Sequence, residues 1–440
     1  MNNLKLEDIK DNLLNKLSLA SSLMLGINIF NLIFVFCLHI TLTRHMGAEN
    51  YGIYYFTITL ITILSIFTKA GADTLLIRYL PKYVSENCFE LVKGVMTYIT
   101  KRTAIYCFFV VVISILIINI LNYYYDNFNK TEYYYGLLLL PCLSFLHITQ
   151  AKLTGFKLVI KSQVPERVIF PLFFVLSVLI ISDLGETILT AREALVLHVS
   201  GIVISFILAK YLLSNHIKDK FVTVKEKYNK TAWKNSSRSL IFIAASYMIM
   251  NQIDILMVGV LIDKEQSGIY GVAARIAILV AYGLHATNLV LAPYVSKLYT
   301  EDRITNLKLI LQKTAKYNLM LSTILCTAIL IFSSEILSVF GDGFVNGRAV
   351  LMILCFGQII NVMAGSTGVL MTMSGNEYTA ARIMFVAVVL NIILNILLIP
   401  RMGMEGAAVA TATATVFWNA LMLIYSCKRI GINTSAIKIS

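Results

Sequence analysis

Two charged residues lie inside apolar segments in the second half of the chain. Asp254 belongs to the apolar run 239–262, and Arg275 belongs to the run 268–299, with the short segment DKEQS between the two runs. Each run is long enough to cross a lipid bilayer, whereas the segment between them suffices only for a turn. Counted from the two ends of this turn, both charges lie about 11–12 Å below the same membrane surface. A charge at such a depth predicts a functional site.

The chemistry of these two residues leaves several roles open. A guanidinium binds phosphate oxygens in a bidentate fork, so Arg275 is a candidate ligand for a phosphate group. Alternatively, Asp254 and Arg275 form a buried ion pair that fixes two neighbouring helices. Both roles combine in a switch hypothesis, in which Asp254 holds Arg275 until phosphate competes for it. A carboxylate without a partner would take up a proton, so Asp254 is also a candidate for proton or sodium coupling.

The composition places these residues in a membrane protein. Of the 440 residues, 58% are hydrophobic and 14% are charged, whereas soluble domains carry about 25% charged residues. We expect a helical, polytopic chain, because helices satisfy their own backbone hydrogen bonds in lipid. The seven cysteines form no CxxC pair and predict neither disulfides nor a metal site. No cofactor is indicated, and no cleavable signal peptide is expected.

Apolar runs predict twelve membrane spans. They cover residues 19–42, 53–75, 102–121, 134–150, 165–182, 192–213, 239–262, 268–297, 317–340, 348–373, 380–400 and 404–427. Before the first span, residues 1–18 have apolar positions at helical spacing, which predicts an amphipathic helix on the cytoplasmic membrane surface. The lysine-rich segment 214–238 predicts a basic cytoplasmic linker between two groups of six spans.

The basic residues predict the orientation of the chain. Most of them lie on the side that holds both chain ends, and the other side holds only Arg44, Lys130, Arg192, Lys264, Arg348 and Arg401. By the positive-inside rule, both termini are therefore cytoplasmic. The same asymmetry accounts for the net charge of +13, so no nucleic-acid partner is expected.

The two groups of spans share features that suggest an internal duplication. Tyr51-Gly52-Ile53-Tyr54 opens the second span, and Ser267-Gly268-Ile269-Tyr270 opens the eighth. Thr154-Gly155 closes the fourth span, and Thr367-Gly368 lies near the end of the tenth. Because each group holds an even number of spans, the two groups keep the same orientation. This predicts two lobes related by a pseudo-twofold axis along the membrane normal.

Several of these segments resemble the polysaccharide biosynthesis transporters, which are Wzx-type flippases for lipid-linked O-antigen repeat units. The resemblance includes Asp254 with the stretch Gly268-Ile269-Tyr270-Gly271-Val272-Ala273-Ala274-Arg275-Ile276, and then Pro293-Tyr294-Val295-Ser296-Lys297-Leu298-Tyr299. In the first half it includes Arg44, Gly47, Tyr51-Gly52, Gly71 and Thr74-Leu75-Leu76-Ile77-Arg78. Gly341, Gly368 and Ser374-Gly375-Asn376-Glu377 also fit. The superfamily of these transporters also holds the lipid II flippases and the multidrug-and-toxin extruders.

The resemblance implies a fold and an activity. It implies an all-α protein of twelve transmembrane helices in two six-helix lobes, residues 19–213 and 239–427, around a central cationic cavity, with a cytoplasmic tail at 428–440. Members move undecaprenyl-diphosphate-linked oligosaccharides across the bacterial inner membrane, and they are not enzymes. The partners implied are the lipid-linked oligosaccharide, membrane lipid, and the polysaccharide polymerase and chain-length proteins.

A diphosphate substrate makes further basic residues candidates to bind it, after Arg275. Lys69, near the inner end of the second span, would line the inner mouth together with Arg78. Alternatively, Lys69 snorkels to the lipid headgroups and Arg78 is an orientation anchor. Arg44, near the outer end of the first span, would assist release.

Uncharged polar residues inside the spans have two alternative roles. Asn28, Asn31 and Asn251 would bind sugar hydroxyls, or they would form hydrogen bonds between helices, which is the commoner use of such residues. His285 is a candidate cavity residue, or it packs between helices.

Two other functions compete with a flippase. A cation-coupled multidrug extruder needs acidic residues that hold cations, and we expect no mid-span carboxylate in the first-half spans. A membrane-embedded polysaccharide polymerase or ligase needs catalytic groups on a sizeable outer loop, and the predicted outer loops are short. A purely structural assembly subunit would give no reason for deep charges.

Overall fold

The chain is helical throughout the part that the structure describes. The computed structural model describes residues 2–124, 130–184, 189–217 and 224–436. Within these ranges no β-strand is present. The predicted all-α fold class is therefore confirmed, and it follows from long apolar segments that must satisfy their own backbone hydrogen bonds.

Fifteen α-helices are described, and short π and 3₁₀ turns join some of them. The helices are α1 (Asn2–Lys69), α2 (Ala72–Ser85), α3 (Phe89–Tyr124), α4 (Lys130–Gly155), α5 (Val159–Val164), α6 (Phe170–Leu184), α7 (Ala191–Ile217), α8 (Lys230–Leu261), α9 (Lys264–Ala277), α10 (Tyr282–Thr300), α11 (Ile304–Ile331), α12 (Ser333–Ser338), α13 (Arg348–Ala364), α14 (Thr367–Met373) and α15 (Glu377–Tyr425). The π turns are Pro165–Ile169 and Ser426–Ile430, and the 3₁₀ turns are Ile278–Ala281 and Asp342–Gly347.

Two of the long helices are kinked at a glycine. In α1 the kink is at Gly47, with φ 69° and ψ 174°, and in α15 it is at Gly403, with φ 62° and ψ −143°. A positive φ costs glycine little, because it has no Cβ atom. Each kink lies between two predicted spans, so α1 contains the first predicted span and most of the second, and α15 contains the eleventh and most of the twelfth.

Nine helical segments in the described ranges are long and apolar enough to cross a membrane. Two of them, Gly26–Lys69 and Glu377–Ile430, are 44 and 54 residues long and contain the glycine kinks. The shorter apolar helix Met248–Leu261 covers part of the seventh predicted span. These segments confirm a multi-pass membrane protein. The count of twelve helices, the pseudo-twofold axis and the central cationic cavity stay predictions.

The helices form two compact units. The first unit consists of Met1–Met46 and Ile61–Ile241, and the second consists of Gly47–Leu60 and Phe242–Ser440. The kink in α1 therefore coincides with the point at which the chain passes from the first unit to the second. The helical segment Gly47–Leu60 adds a stretch of first-half sequence to the second unit, and this stretch includes three tyrosines.

Part of the predicted linker is docked onto the first unit. Helix α8 begins at Lys230, and Trp233 in its first turn is fully buried in an apolar cluster with residues of α2 and α3. The indole Nε1 of Trp233 donates to the hydroxyl of Tyr83 at 3.0 Å, and the backbone N–H of Lys227 donates to the carbonyl of Glu90 at 3.1 Å. Residues 218–223 lie outside the described ranges.

The predicted amphipathic segment at the N-terminus is helical. Residues 2–18 form the beginning of α1. Their side chains lie outside the described part of the chain, so the position of this segment on a membrane surface stays a prediction.

The second unit brings the segment Gly47–Leu60 close to α9. A Cβ atom on Gly52 would lie 2.0 Å from the carbonyl oxygen of Lys264, and one on Gly268 would lie 2.8 Å from the Cα atom of Gly52. Small residues allow such close contact between helix backbones in membrane proteins. The contact places the tyrosines of the segment beside Arg275.

Candidate functional site

Arg275 lies on α9 against a wall of tyrosines. Its Nη2 donates to the hydroxyl of Tyr55 at 3.1 Å, and its Cζ atom lies 5.6 Å from the centroid of the Tyr55 ring. Tyr51 stacks on Tyr55 with a centroid distance of 5.5 Å, and Tyr51 and Tyr54 are buried. The wall therefore orients the half-buried guanidinium through aromatic faces and one neutral hydroxyl.

The missing side chain at Gly271 makes room for this arrangement. A Cβ atom at Gly271 would lie 2.0 Å from Cε1 of Tyr55. Residues four apart lie on one face of a helix, so Gly271 and Arg275 both face the ring of Tyr55. Gly271 leaves space for the ring, and Arg275 places its charge beside it. Within the described ranges, no carboxylate lies within ion-pair distance of Arg275.

Asp254, 5% exposed, lies in a separate cluster of neutral polar groups on α8, α9 and α15. Its Oδ1 accepts hydrogen bonds from Nδ2 of Asn391 at 3.1 Å and from Nδ2 of Asn395 at 2.6 Å. Its Oδ2 accepts a hydrogen bond from Oγ1 of Thr411 at 2.5 Å, and Thr411 in turn contacts the hydroxyl of Tyr270 at 3.2 Å. The carboxylate is thus held by side chains without charge.

The Asp254 cluster contains one buried acceptor without a protein partner in the described residues. Nδ2 of Asn395 also donates to Oδ1 of Asn391 at 3.1 Å, but Oδ1 of Asn395 has no hydrogen-bond partner. Both asparagines are fully buried. The cluster therefore contains a carboxylate and one amide oxygen that is left unsatisfied, and such oxygens suit a small cation or a proton.

The expected ion pair between Asp254 and Arg275 is not formed. Tyr270 and Arg275 are five positions apart on α9, which corresponds to a rotation of about 140° around the helix axis. Tyr270 faces the Asp254 cluster, so Arg275 faces away from it and toward Tyr55. The sequence placed Asp254 and Arg275 at equal depth in the membrane, but it did not specify the direction in which each side chain points from its helix. The switch hypothesis, in which Asp254 holds Arg275, is wrong for the same reason.

The first unit contains a second charged cluster. Nζ of Lys69 lies 3.2 Å from Nδ1 of His147 and 3.7 Å from Oδ2 of Asp73, and Nε2 of His147 lies 3.2 Å from Oε1 of Glu166. Arg102 donates to the carbonyl oxygens of Lys69 and Ala70 at 3.2 and 3.1 Å, where α1 ends. In contrast to Arg275, these charges are compensated by one another.

Lys69 does not snorkel. Its side chain is 11% exposed and its ammonium group is held by His147 and Asp73, so that alternative is wrong. A role of Lys69 in binding diphosphate stays a prediction.

Asn28 and Asn31 hold Arg167 in the first unit. Nη1 of Arg167 donates to Oδ1 of Asn28, and Nδ2 of Asn31 donates to the carbonyl oxygen of Arg167 at 3.1 Å. Arg167 follows Glu166 in the π turn Pro165–Ile169. Ser205 supports this turn by donating to the carbonyl oxygen of Pro165 at 2.8 Å. Both asparagines therefore form hydrogen bonds between chain segments, and sugar binding by them stays a prediction.

The remaining predicted residues are exposed. Arg44 and Arg78 are exposed in the first unit, and Asn251 and His285 are exposed in the second. None of the four belongs to the two clusters described above. Their roles in binding substrate stay predictions.

Sequence reasoning missed several members of both clusters. Asn391 and Asn395 stand four residues apart in an apolar run, a spacing that signals one helix face, and His147 stands alone in an apolar run. Glu166 was not singled out from the sequence either, and it lies within the candidate span Val159–Ile181. Its partner His147 comes from another helix, and no sequence spacing could indicate that pairing.

Comparison with known proteins decides the family. The family model of the polysaccharide biosynthesis proteins matches residues 19–299. The chain belongs to this family. A second family model, that of the MatE proteins, matches residues 240–397. Both matches fit a transporter of the superfamily that holds multidrug and polysaccharide exporters.

Two curated relatives come from archaea. An uncharacterised membrane protein of Methanocaldococcus jannaschii is 23% identical over 379 residues, which cover 82% of this chain and 74% of that protein. A probable low-salt glycan biosynthesis flippase, Agl15 of Haloferax volcanii, is 28% identical over 198 residues, which cover 43% of this chain and 42% of that protein. The match to Agl15 thus spans less than half of either chain.

Solved structures share the fold. An inward-facing multidrug resistance MATE family transporter has a TM-score of 0.75 at 11% identity, and the alignment covers 91% of this chain and 94% of that chain. The lipid II flippase MurJ in an inward closed conformation has a TM-score of 0.68 at 15% identity, with 91% and 87% covered. The chain therefore has the fold of these membrane transporters.

Proposed function

We propose that the protein is a flippase that moves undecaprenyl-diphosphate-linked oligosaccharide repeat units of O-antigen or a related surface polysaccharide across the bacterial cytoplasmic membrane. Family membership and the flippase among its relatives support this proposal. The observation that carries it is Arg275, a guanidinium inside a candidate span, whose hydrogen-bond partner in the described residues is the neutral hydroxyl of Tyr55.

Arg275 binds the diphosphate in this proposal. A guanidinium has five N–H donors, and in the described residues the hydroxyl of Tyr55 takes one of them. The remaining donors form the fork that phosphate oxygens accept in pairs. Because the charge is not cancelled by a carboxylate in the same part of the chain, the guanidinium favours an anion. A charge left without compensation in a membrane span is costly, which is a reason to infer that it has a role in transport.

The proposed route is alternating access between two lobes. Lys69 and Arg78 meet the diphosphate at the cytoplasmic side, Arg275 holds it within the membrane, and Arg44 assists release. Asn251 and His285 contact the sugars, while the polyprenyl tail stays in lipid. Both chain termini are cytoplasmic, and polysaccharide polymerase and chain-length proteins take the product on the other side.

Asp254 is the proposed coupling residue. A buried carboxylate with neutral partners favours a proton or a cation as its counter-charge. The unpartnered Oδ1 of Asn395 lies in the same cluster and adds a second oxygen acceptor. Replacement of Asp254 by Asn should uncouple transport from its driving ion. Transport by reconstituted protein, measured under an imposed proton gradient and under an imposed sodium gradient, identifies the ion, and insensitivity to both gradients contradicts the coupling role.

A cation-coupled multidrug extruder is the second candidate function. The match to the MatE model over residues 240–397 and the fold shared with a multidrug transporter favour it. Such a protein holds cationic drugs with acidic residues. Among the described residues, Glu166 instead contacts His147. Asp254 is 5% exposed and enclosed by Asn391, Asn395 and Thr411, so a bulky drug has no open surface there, whereas a proton or a small ion needs none. This arrangement favours an anionic substrate over a cationic drug.

Complementation separates the two functions. The gene is expressed in a strain that lacks its own repeat-unit flippase, and surface polysaccharide is measured along with resistance to cationic drugs. Restored polysaccharide supports the flippase. Drug resistance without polysaccharide supports the extruder and contradicts the proposal. Arg303→Gln is the matched control for Arg275→Gln, since Arg303 is an exposed arginine of the second unit that pairs with Glu301 at 3.4 Å.

A further inference from the structure

A chain of three ionisable side chains links separate segments of the first unit. Lys69 is at the end of α1, His147 is on α4, and Glu166 is in the π turn Pro165–Ile169. Two distances of 3.2 Å connect them through the two ring nitrogens of His147. The proposed route uses Lys69 but gives no role to His147.

Hydrogen-bond chemistry determines which atoms of Lys69, His147 and Glu166 carry protons. A lysine ammonium has donors and no acceptor, so Nδ1 of His147 must accept from Lys69. The remaining ring nitrogen, Nε2, then carries the proton of the neutral imidazole and donates to the carboxylate of Glu166. His147 is therefore neutral when it holds Lys69, and its Nδ1 lone pair is the site at which a further proton would bind.

We propose that His147 is a proton-binding site whose occupation releases Lys69 to bind an anionic group of the substrate. Uptake of one proton from water forms an N–H bond at Nδ1 and converts the imidazole to imidazolium. Nδ1 can no longer accept, so the hydrogen bond from Lys69 breaks and the ammonium keeps its three protons. The imidazolium stays paired with Glu166, and Lys69 keeps its contact with Asp73 at 3.7 Å among the residues that the structure describes.

The charges around His147 allow both protonation states. Glu166 in the π turn and Asp73 on α2 favour the imidazolium, and Lys69 on α1 opposes it. Arg102 on α3 binds the carbonyl end of α1. Lys152 on α4 itself donates to Thr100 at 2.7 Å, and Arg167 is held by Asn28.

Two further groups belong to elements packed on α4. His198 on α7 lies against the rings of Phe170 and Phe174, at centroid distances of 4.7 and 5.4 Å. Lys161 on α5 is exposed. Glu166 is therefore the carboxylate in direct contact with His147 among the described residues, which makes it the main support of the protonated state.

The consequence is a link between proton binding and anion binding. This inference rests on the proposed function, because the released ammonium is assigned to the substrate diphosphate. Linkage requires that the proton strengthens diphosphate binding and that diphosphate strengthens proton binding by the same factor. The test therefore compares acid and neutral solution, the range in which imidazole side chains in general change charge.

The test is binding of farnesyl diphosphate to the purified full-length protein between about pH 5 and pH 8. We expect binding about tenfold tighter at the acid end, within the usual range of coupled sites. His147→Gln should bind as weakly at every pH as the wild type does at the alkaline end, because the glutamine oxygen accepts from Lys69 and does not take up a proton. Lys69→Gln should show the same loss of pH dependence. Glu166→Gln should shift the pH dependence to lower pH.

Further variants distinguish failure of the His147 inference from failure of the proposed role of Arg275. His216→Asn is the matched control, because His216 is a histidine of the same unit that packs on the ring of Phe156, and it should keep the wild-type pH dependence. Wild-type pH dependence in His147→Gln overturns the inference. If Arg275→Gln binds as tightly as wild type with the same pH dependence, the role of Arg275 fails and the His147 site stands. No binding by the wild type at any pH overturns both.

Discussion

The two units compensate their charged side chains in opposite ways. In the first unit, Lys69, His147, Glu166 and Asp73 compensate one another within 4.0 Å. In the second unit, Asp254 and Arg275 carry opposite charges, yet the described structure gives each of them neutral partners. In the first unit the charged groups bind one another, so one of these contacts must break before the cluster can bind a substrate group. The second leaves one negative and one positive charge available for an ion and a phosphate.

The difference decides whether a charged side chain stabilises the protein or binds an ion or substrate. A buried ion pair gains mutual attraction that offsets part of its desolvation. A charge surrounded by neutral dipoles is solvated by them but keeps its net charge, and so it attracts an external counter-ion. We therefore expect substitutions in the second unit to affect transport more than stability, and substitutions in the first unit to show the reverse at neutral pH.

The double substitution Asp254→Asn with Arg275→Gln tests whether these two charges act separately. If the two residues formed a pair, removal of both charges would rescue much of the loss caused by either single change. Because they have separate partners, each single change should lower transport at least about tenfold, or about 1.4 kcal/mol in activation free energy. The double variant should be no better than the worse single variant. Rescue of vesicle transport by the second change would restore the ion-pair interpretation.

Gly271→Leu tests whether the tyrosine wall orients Arg275. The new side chain would collide with the Tyr55 ring, since a Cβ atom there already lies 2.0 Å from it. We expect a loss of about 1–3 kcal/mol in stability from overpacking, together with reduced transport. Gly283→Ala is the control, because a Cβ atom at that position meets its nearest neighbour at an ordinary 3.4 Å. Normal transport by Gly271→Leu would show that Tyr55 is not needed to position the guanidinium.

Lys69→Met tests compensation in the first unit. The change leaves Nδ1 of the partly buried His147 without its donor. We expect a cost of about 1 kcal/mol, the low end of the range for an unsatisfied buried group. Adding His147→Leu removes the other partner, and replacement of both partners by apolar groups is nearly neutral. The melting temperature in detergent should therefore fall in the single variant and recover in the double variant. If the double variant melts below the single variant, the pair does not act as a unit.

Glu226→Gln should have the smallest effect, because this contact is exposed and lies outside the membrane. Hydrogen bonds from Tyr228 and Thr97 lower the pKa of the Glu226 carboxyl group. A lowered pKa in the folded state means that this contribution is present above the ordinary glutamate pKa of about 4.3 and is lost as the pH falls through the folded value. Trypsin cleavage at Lys225 and Lys227 should become somewhat faster in the variant at neutral pH. The difference between the two proteins should disappear when backbone hydrogen exchange of this segment is compared below the folded pKa of Glu226, where its carboxyl group is protonated in the wild type as well.

Long-range features of the fold follow from the composition and hydropathy of the chain. Apolar runs of span length leave helices as the available structure in lipid, so the all-α class could be predicted. Gly47 lies between two such runs, and the kink there fits the predicted division. The repeated pattern at Gly52 and Gly268 suggested a duplication, but the contact between these glycines could not be predicted, because no local spacing marks two helices that touch.

The candidate site could be predicted only in part. Arg275 and Asp254 were found because a charge in an apolar run is easy to detect and costly to bury. Their partners could not be found, since rotation about a helix axis depends on which neighbours pack against it. The partners of Asp254 are 137 to 157 positions away in sequence, and Tyr55 is 220 positions from Arg275.

The most direct test is flipping of an undecaprenyl-diphosphate-linked sugar in liposomes that contain purified protein. Wild type, Arg275→Gln and the control Arg303→Gln are compared at equal amounts of folded protein, with protein-free liposomes as background. We predict that Arg303→Gln flips the lipid at the wild-type rate and that Arg275→Gln falls to the background rate. Flipping by Arg275→Gln at the wild-type rate would contradict the claim that this guanidinium binds the diphosphate.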